Sequence, residues 1–442
     1  MTSANSLTLS MFNLYCDIDS DTTGIYNTLH DSALLISKDV LSKLPGNIED
    51  GEIRNLLLNE KIAFTSNVDE KLYFQYFINK LKYAPRRASF TVLVTSDCNF
   101  TCEYCFEGSN HKIVYMSKQT ADDIVSFVRN SIDKHSSLNN VLVAFYGGEP
   151  LLNRSIIHKI CNGLTESNNY SDKTVFTITT NLSLLTNEDI KMFEKYRFVN
   201  VQVAIDGPQH IHNRRRRSKD DSDTYTTIIR NIQRLVDHQI STIVILNYDQ
   251  QNYSYMDELI AEIKLRLPFD KLIFFLNPIV ESLSNHNCRR LFMSTELETD
   301  LFIELYDKLR GNRIPVDAFG QRDMVCMATS DVSCTVDLEG NLYKCGFTVG
   351  NSEYQVGTIY DDLYSNLNYE LILDEPWKVC LENACPYLPI CGAGCRGLAL
   401  VKNLFLSDPV CEKKDYYEKV FNRLLKDHFQ DLIKKGCENK RG

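Results

Sequence analysis

Six short apolar segments recur from residue 90 onward, and they constrain the fold more than any other feature of the sequence. They are rich in Val, Ile, Phe and Thr, which favour β-strands, and they cover residues 90–95, 141–146, 175–180, 199–205, 241–248 and 271–277. The stretches between them have helical periodicity; within 117–132, one face is formed by Ala121, Ile124, Val128 and Ile132. Alternating strands and helices predict parallel βαβ units, so we expect an α/β domain whose parallel sheet is covered by helices.

Polar and glycine residues follow five consecutive strands of this predicted sheet. These residues are Cys98 to Cys105, "GGEP" at 147–150, "TTN" at 179–181, "IDGP" at 205–208 and Asn247. The carboxyl ends of parallel strands meet at one edge of a sheet, where ligand-binding loops are usually found. Each motif alone also suits a turn or a helix cap, but five of them in register predict a functional site at this edge.

The first of these loops, "TSDCNFTCEYCFEG", places Cys98, Cys102 and Cys105 within eight positions. A structural zinc site uses four ligands, and a [4Fe-4S] cluster likewise has four irons that each need one. Three thiolates therefore leave one iron open for chemistry. The spacing alone leaves zinc as the competing interpretation.

A second block, residues 326–411, holds eight of the 15 cysteines and is called the cysteine-rich region below. Eight cysteines suffice for two fully ligated [4Fe-4S] clusters, and the alternative is a pair of zinc ribbons. Residues 334–345 predict a β-hairpin with its turn at 339–341. The four remaining cysteines stand alone and are interpreted as ordinary thiols: Cys16, Cys161, Cys288 and Cys437.

Composition excludes several classes of protein. A chain of 442 residues predicts two or three domains, and a net charge of -10 argues against nucleic-acid binding. The basic run "NRRRRSK" at 213–219 favours a solvated loop, although an arginine there could hold a carboxylate. Because no signal peptide or membrane-spanning apolar run is visible, we expect no membrane association and a cytoplasmic location. In that reducing compartment the cysteines favour metal binding over disulfides.

Residues 1–86 lack metal-type clustering and predict a separate small α+β module, called the N-terminal module below. We expect helices at 29–44 and 72–83 and a short strand at 61–66. The predicted boundaries then place a catalytic core at 87–310 and the cysteine-rich domain with a C-terminal helix at 311–442.

The spacing Cys-x3-Cys-x2-Cys, with Tyr104 before the last cysteine and with the "GGEP" and "TTN" loops after it, resembles the signature of radical S-adenosylmethionine (radical SAM) enzymes over about residues 90–300. The resemblance implies a partial (β/α)6 TIM-like barrel. It also implies a [4Fe-4S] cluster on Cys98, Cys102 and Cys105, whose open iron is chelated by S-adenosylmethionine. Cleavage of that sulfonium yields a 5'-deoxyadenosyl radical, which removes hydrogen from the substrate.

The same resemblance implies roles for the loop residues. Gly147, Gly148 and Glu149 would contact the ammonium group of S-adenosylmethionine. Tyr104 would lie against the adenine, and Asn181 near the ribose or methionyl part. Two further residues would face the same cavity, namely Asp206 and Asn247.

The cysteine-rich region resembles the SPASM domain of one radical SAM subfamily. The spacings Gly340-x4-Cys345 and Cys385-x5-Cys391-x3-Cys395 fit, whereas Cys380 and Cys385 are separated by four residues instead of two. The resemblance implies two auxiliary [4Fe-4S] clusters, three clusters in all. The nearer would use Cys326, Cys334, Cys345 and Cys395, and the farther Cys380, Cys385, Cys391 and Cys411.

SPASM-bearing radical SAM enzymes mostly modify peptides and proteins. The N-terminal module weakly resembles leader-recognition domains, which favours a maturase that installs a thioether or carbon–carbon crosslink, or a similar oxidation, in a ribosomally made peptide. The implied partners are a precursor peptide or protein and an electron donor such as flavodoxin or ferredoxin. The alternatives are an anaerobic sulfatase-maturating enzyme, which forms formylglycine, and a non-catalytic iron–sulfur electron-transfer protein.

Overall fold

The computed structural model describes residues 6–46, 48–65, 67–105, 112–280, 291–316, 326–402, 404–411 and 414–438. Two small sheets and three helices form the N-terminal module. Its elements are β1 (Leu7–Leu9), β2 (Asn13–Asp17), β3 (Thr22–Asn27), β4 (Ser32–Ser37), α1 (Lys38–Ser42), α2 (Gly51–Asn59), β5 (Ala63–Thr65) and α3 (Glu70–Tyr83). Strand β1 pairs with β5, and β2, β3 and β4 form an antiparallel sheet in that order.

The helix predicted at 29–44 is wrong over most of its length, whereas the strand near 61–66 and the helix near 72–83 are confirmed. Strand β4 occupies Ser32–Ser37 because its apolar residues serve two cores on opposite faces: Leu34 packs in one cluster and Leu35 in another. The helix begins only after Ser37, whose side chain accepts a hydrogen bond from the backbone N–H of Val40.

The central domain contains all six predicted strands, with ends shifted by at most three residues. Its elements are β6 (Arg87–Leu93), α4 (Lys118–Lys134), β7 (Asn140–Tyr146), α5 (Arg154–Thr165), α6 (Asn168–Ser171), β8 (Thr174–Thr179), α7 (Asn187–Lys195), β9 (Phe198–Ile205), α8 (Gln209–Arg215), α9 (Thr224–Asp237), β10 (Thr242–Tyr248), α10 (Met256–Arg266), β11 (Ile273–Pro278) and α11 (Thr295–Gly311). Neighbouring strands from β6 to β11 pair in parallel. One continuous apolar core joins one face of the sheet to the helices.

The remaining elements belong to the cysteine-rich region and the C-terminal helix. They are β12 (Cys334–Val336), β13 (Asn341–Tyr343), β14 (Gln355–Thr358), β15 (Asp362–Leu363), α12 (Asn366–Leu373), α13 (Trp377–Glu382), α14 (Leu388–Cys391), α15 (Arg396–Val401) and α16 (Lys414–Glu438). The predicted hairpin is confirmed as β12 and β13, and Gly340 has a φ of 90° in its turn.

The hairpin is joined directly to the central sheet. Strand β12 pairs in parallel with β6, and Cys334 lies opposite Phe90. The result is a ten-stranded sheet in the order β11-β10-β9-β8-β7-β6-β12-β13-β14-β15. The expected fold class is therefore confirmed: an α/β protein with a partial parallel barrel, a small N-terminal α+β module and a cysteine-rich C-terminal part.

The N-terminal module packs against the C-terminal part of the chain through two apolar clusters. Phe12 and Phe74 lie with Trp377 in one cluster, and Leu14 and Tyr26 lie with Phe421 and Phe429 in the other, as part of larger sets. A Cβ atom on Gly24 of β3 would come within 2.5 Å of the Phe429 ring, which shows how closely α16 covers this sheet. Among the described residues, no helix is both long enough and apolar enough to cross a membrane.

Candidate active site at the carboxyl edge of the sheet

The loop that carries Cys98, Cys102 and Cys105 is held in place by its backbone. The buried Phe100 ring anchors it, and the Phe100 N–H donates to Cys98 Sγ over 3.3 Å. The Thr101 N–H donates to the Arg217 carbonyl over 2.8 Å, so the loop pairs with the segment that follows α8. These backbone contacts hold the three cysteines in a loop that follows the carboxyl end of β6.

The three thiols lie close enough to influence one another's ionisation. Burial raises the pKa of Cys98 to about 12 and of Cys102 to about 11, and charges on neighbouring cysteines add to the effect. Such thiols become thiolates when a cationic group binds them. No three or more His, Cys, Asp or Glu side chains in the described ranges already form a metal-ready group. The fit to a cluster therefore rests on the nature and proximity of these donors.

Gly147 and Gly148 allow the second strand-end loop to approach the cysteine loop closely. The Gly148 N–H donates to the Thr95 carbonyl over 2.9 Å. A Cβ on Gly147, whose φ is 124°, would lie 2.3 Å from the Thr95 oxygen, and one on Gly148 would lie 2.2 Å from the Asp97 oxygen. No side chain fits at either position without displacing the backbone that leads to Cys98.

Glu149 is fully buried and ties the second loop to the third. Its carboxylate accepts hydrogen bonds from Thr180 Oγ1 at 2.6 Å, from the Asn181 N–H at 2.7 Å and from the Leu151 N–H at 2.9 Å. Burial raises the pKa of Glu149, and these hydrogen bonds act in the opposite direction. A carboxylate offers about four acceptor positions, so three protein donors leave one position for a ligand.

Asn181 connects the third loop to the first. Its Nδ2 donates to Asn99 Oδ1 at 2.8 Å and lies 3.9 Å from Cys98 Sγ. Its Oδ1 accepts from the Ser183 N–H at 2.9 Å. The amide therefore lies directly beside the first cysteine.

Tyr104, Asp206 and Asn247 form a second polar group next to the cysteines. Asn247 Nδ2 donates to the Tyr104 hydroxyl at 3.0 Å and to Asp206 Oδ1 at 3.1 Å, and Asn247 Oδ1 accepts from Asn277 at 2.8 Å. Asp206 is fully buried, and burial raises the pKa of Tyr104 well above its usual range. All five predicted loops thus meet at one edge of the sheet.

The basic run at 213–219 is not simply a solvated loop, which corrects that interpretation. Arg215, at the end of α8, is 2% exposed and pairs with the buried carboxylates of Asp206 and Asp249. Arg216 donates to the Tyr104 hydroxyl at 2.7 Å, while its buried Nε has no hydrogen-bond partner among the described residues. These two arginines face inward because α8 ends at Arg215. The sequence feature that could have indicated this is the unusual density of arginines after "IDGP".

A cavity of about 780 Å³ lies between the cysteine loop and the cysteine-rich region. Its wall includes Ser96 and Tyr146 from the central domain and Thr335, Cys345 and Phe347 from the other side. Substrate pockets usually have volumes of this order. The first strand-end loop contributes Ser96 to this wall, and the cysteine-rich region contributes Cys345.

In the cysteine-rich region, Cys326 and Cys395 lie close enough to Cys345 for their charges to act on its thiol. Burial raises the pKa of Cys345 to about 12, and charges on Cys395 and Cys326 add to this shift. A Cβ on Gly397 would lie 2.5 Å from Cys345 Sγ, so α15 begins against this thiol. Cys334 is fully buried at the start of β12.

In the second predicted set, Cys385, Cys391 and Cys411 lie close enough to Cys380 for their charges to act on its thiol. Burial raises the pKa of Cys380 to about 12, with further contributions from the other three thiols. The long Cys380–Cys385 spacing is absorbed by a turn in which Ala384 has a φ of 49° and the Cys385 N–H donates to the Cys380 carbonyl at 3.0 Å. The longer loop therefore still returns Cys385 to Cys380.

The stand-alone cysteines behave differently from the two blocks. Cys16 and Cys161 are buried among apolar side chains, as the sequence predicts for ordinary thiols. Cys288 and the side chain of Cys437 lie outside the described residues.

The sequence model of the Radical SAM superfamily matches residues 92–263. The chain therefore carries a radical SAM domain, in the part that contains the five loops. The cysteine-type anaerobic sulfatase-maturating enzyme of Clostridium perfringens (strain 13 / Type A) is 26% identical over 360 residues, which cover 75% of this chain and 95% of that enzyme.

Two solved structures share the fold. One is native anSMEcpe with bound AdoMet and Cp18Cys peptide, with a TM-score of 0.61, 20% identity, and coverage of 78% of this chain and 99% of that one. The other is Streptococcus suis SuiB bound to precursor peptide SuiA, with a TM-score of 0.56, 15% identity, and coverage of 92% and 99%. The chain thus carries a radical SAM domain, is similar in sequence to anaerobic sulfatase-maturating enzymes, and shares the fold of anSMEcpe and SuiB.

Proposed function

We propose that this protein is a radical SAM peptide maturase, which abstracts hydrogen from a ribosomally made peptide and installs a crosslink or a similar oxidation. The observation that carries the proposal is the N-terminal module. The SuiB fold matches 92% of this chain, whereas the anSMEcpe fold matches 78% although it is itself covered almost completely. The extra matched length is consistent with a module that sulfatase maturases do not need.

The edge of the N-terminal sheet supports peptide binding. Among the described strands, β4 pairs only with β3, so its other edge is available. An extended leader could add a strand there through backbone hydrogen bonds. The module packs on the cysteine-rich region, which lines the 780 Å³ cavity, so a leader at β4 and a core peptide in the cavity would bind to one continuous body.

In the proposed site, Cys98, Cys102 and Cys105 would hold a [4Fe-4S] cluster, and S-adenosylmethionine would bind beside it. Together these groups supply a carbon-centred radical that can remove a hydrogen atom. The chain's own residues would orient S-adenosylmethionine. The remaining acceptor position of Glu149 suits the ammonium group of this ligand, as do the carbonyls beside Gly147 and Gly148. Arg216 Nε, which has no hydrogen-bond partner among the described residues, suits the carboxylate of S-adenosylmethionine.

The other predicted residues would shape the rest of this ligand site. Tyr104, held by Arg216 and Asn247, offers an aromatic face for the adenine, and Asp206 fixes Asn247. Asn181, beside Cys98, would contact the ribose or methionyl part. Two auxiliary [4Fe-4S] clusters on the two sets of four cysteines would carry electrons to or from an external donor such as flavodoxin or ferredoxin.

The proposal is tested with anaerobically reconstituted full-length protein, S-adenosylmethionine and dithionite. We expect 5'-deoxyadenosine, and with a precursor peptide from a neighbouring reading frame we expect the loss of two hydrogens by mass spectrometry. The same peptide without its leader is the control and should remain largely unmodified. Absence of 5'-deoxyadenosine from protein with a full iron content would refute the enzyme assignment, and equal modification of leaderless peptide would refute leader recognition.

Sulfatase maturation is the second candidate, because the Clostridium perfringens enzyme covers 75% of this chain at 26% identity. This candidate predicts that a sulfatase-derived peptide acquires an aldehyde at its Cys or Ser, detectable with a hydrazide reagent. Aldehyde formation without any reaction on a neighbouring precursor peptide would favour it over the peptide crosslink.

A further inference from the structure

Among the described residues, three buried side chains with an N–H donor that has no hydrogen-bond partner line one small cavity between α3 and the cysteine-rich region. The donors are Lys82 Nζ, Trp377 Nε1 and Arg396 Nε, and all three residues line a space of about 60 Å³. Lys82 and Arg396 are each 2% exposed. Buried donors are nearly always paired, so three unpaired ones at one place indicate a missing acceptor.

The cavity lies against the cysteines proposed to hold the auxiliary clusters. Cys326 forms part of its wall. Arg396 follows Cys395 directly, and the next residue, Gly397, approaches Cys345 Sγ closely. On the other side, a Cβ on Gly394 would lie 2.3 Å from the carbonyl oxygen of Val410, the neighbour of Cys411. The Arg396 segment therefore runs between the two cysteine sets.

Neither cation has a hydrogen-bonded carboxylate. The guanidinium of Arg396 donates only to backbone carbonyls in the described structure, at Ala393 (2.7 Å), Leu406 (2.8 Å) and Asp408 (3.1 Å). Lys82 lies near Asp374 and Glu375, which favour its charge, and near Lys378, which opposes it. Burial lowers the pKa of Arg396, and the nearby cysteine thiolates act in the opposite direction.

A [4Fe-4S] cluster with four thiolates would supply what is missing. It carries net negative charge and presents sulfur atoms that accept N–H hydrogen bonds, and such bonds and charges set cluster potentials. Two water molecules are the alternative occupant, since about 60 Å³ has room for two. Water would satisfy the donors, and Asp374 in the cavity wall and Glu375 place negative charge near Lys82. Arg396 would still have no hydrogen-bonded carboxylate among the described residues.

We propose that Lys82 and Arg396 are positioning residues for the auxiliary cluster that includes Cys326, and that their charges raise its reduction potential. When this cluster gains one electron from a reductant, its charge becomes one unit more negative, and the two cations stabilise that state. Because Lys82 belongs to α3, the docked N-terminal module is part of the electron-transfer apparatus. This inference rests on the auxiliary clusters of the proposed function.

The test is a redox titration of Lys82→Met in the full-length, anaerobically reconstituted protein, followed by electron paramagnetic resonance. Methionine has a similar length without the charge, and removal of an unpaired buried ammonium is not expected to unfold the protein. At a fixed potential we expect the ratio of reduced to oxidised auxiliary cluster to fall about tenfold, which corresponds to 59 mV for a one-electron couple. The signal of the cluster on Cys98, Cys102 and Cys105 should not shift.

Two matched variants complete the experiment. Lys82→Arg keeps the charge and should restore the potential, whereas Lys80→Met, which removes an exposed lysine from the same helix, should have no effect. Unchanged potentials in fully loaded Lys82→Met would overturn the inference and would favour bound water. An iron content of about four per wild-type protein would instead show that the auxiliary clusters do not form, and it would overturn the inference in that way. Formation of 5'-deoxyadenosine would still test the enzyme assignment separately.

Discussion

The two cysteine regions are built by different means. The first offers three thiols on one loop, and polar residues from four neighbouring strand ends brace that loop through hydrogen bonds such as those of Glu149 and Asn181. The second offers eight thiols on strand β12, short helices and turns, braced mostly by backbone contacts such as the one between Cys385 and Cys380. An incomplete ligand set needs a shaped ligand pocket beside it, whereas a complete set needs only a backbone that wraps it.

The largest effect is expected from a substitution that removes one of the three thiols of the first cysteine region. Cys98→Ala should abolish formation of 5'-deoxyadenosine and lower the iron content by about a third, because one of the three proposed clusters would lose a thiolate. Iron and sulfide analysis with a product assay measures both quantities. Cys161→Ala, which removes a buried thiol from α5, is the control and should keep full iron content. Retained product in Cys98→Ala would contradict the ligand assignment.

Gly148→Ala should have the next largest effect. The added Cβ would press on the Asp97 carbonyl beside Cys98, and displacements of about 1 Å in an active site cost about 100-fold in rate. The rate of S-adenosylmethionine cleavage measures the loss. Gly311→Ala, where a Cβ meets no atom within 4 Å, should cleave at the wild-type rate.

Arg216→Met should weaken the first region without removing its cluster. Loss of a charge-assisted hydrogen bond costs about 1.5–3 kcal/mol, so the KM for S-adenosylmethionine should rise about 10- to 150-fold while the iron content stays unchanged. Steady-state kinetics of 5'-deoxyadenosine formation gives the value. The exposed Arg214, two residues earlier, provides the control variant Arg214→Met, for which we expect the wild-type KM. An unchanged KM in Arg216→Met would remove Arg216 from the ligand site.

The smallest effect on cleavage should come from the second region. Cys345→Ala should lose the signal of one auxiliary cluster, and it should slow uncoupled S-adenosylmethionine cleavage by less than about tenfold, because the first region stays intact. Modification of the peptide should fall much further than cleavage does. If cleavage and modification are lost together and to the same extent, the two regions do not have separable roles.

The parallel sheet and the meeting of its five loops could be predicted from sequence, because buried parallel strands appear as continuous apolar runs and end at a common edge. The helix expected at 29–44 failed for a different reason. The apolar residues of β4 serve two cores on opposite faces, and one face is covered by α16, which lies almost 400 residues away in the chain. Tertiary contacts of that kind leave no local signal.

The arginine run and the Cys380 spacing show the same limit on a smaller scale. Whether Arg215 and Arg216 point inward depends on where α8 ends, and the return of Cys385 to Cys380 depends on a left-handed residue, Ala384. Composition reveals neither. The site residues themselves were visible because polar groups directly after buried strands are conspicuous.

The parallel pairing of β12 with β6 has a mechanical consequence. Cys334 is paired with Phe90 in the strand that leads into Cys98, so the backbone between the two cysteine regions forms a stiff span instead of a hinge. In the proposed enzyme, the rate of electron tunnelling between clusters in the two regions would depend steeply on their separation, and a fixed span would keep that rate independent of the bound peptide. Any conformational change that regulates this electron transfer must therefore arise outside the span formed by β6 and β12.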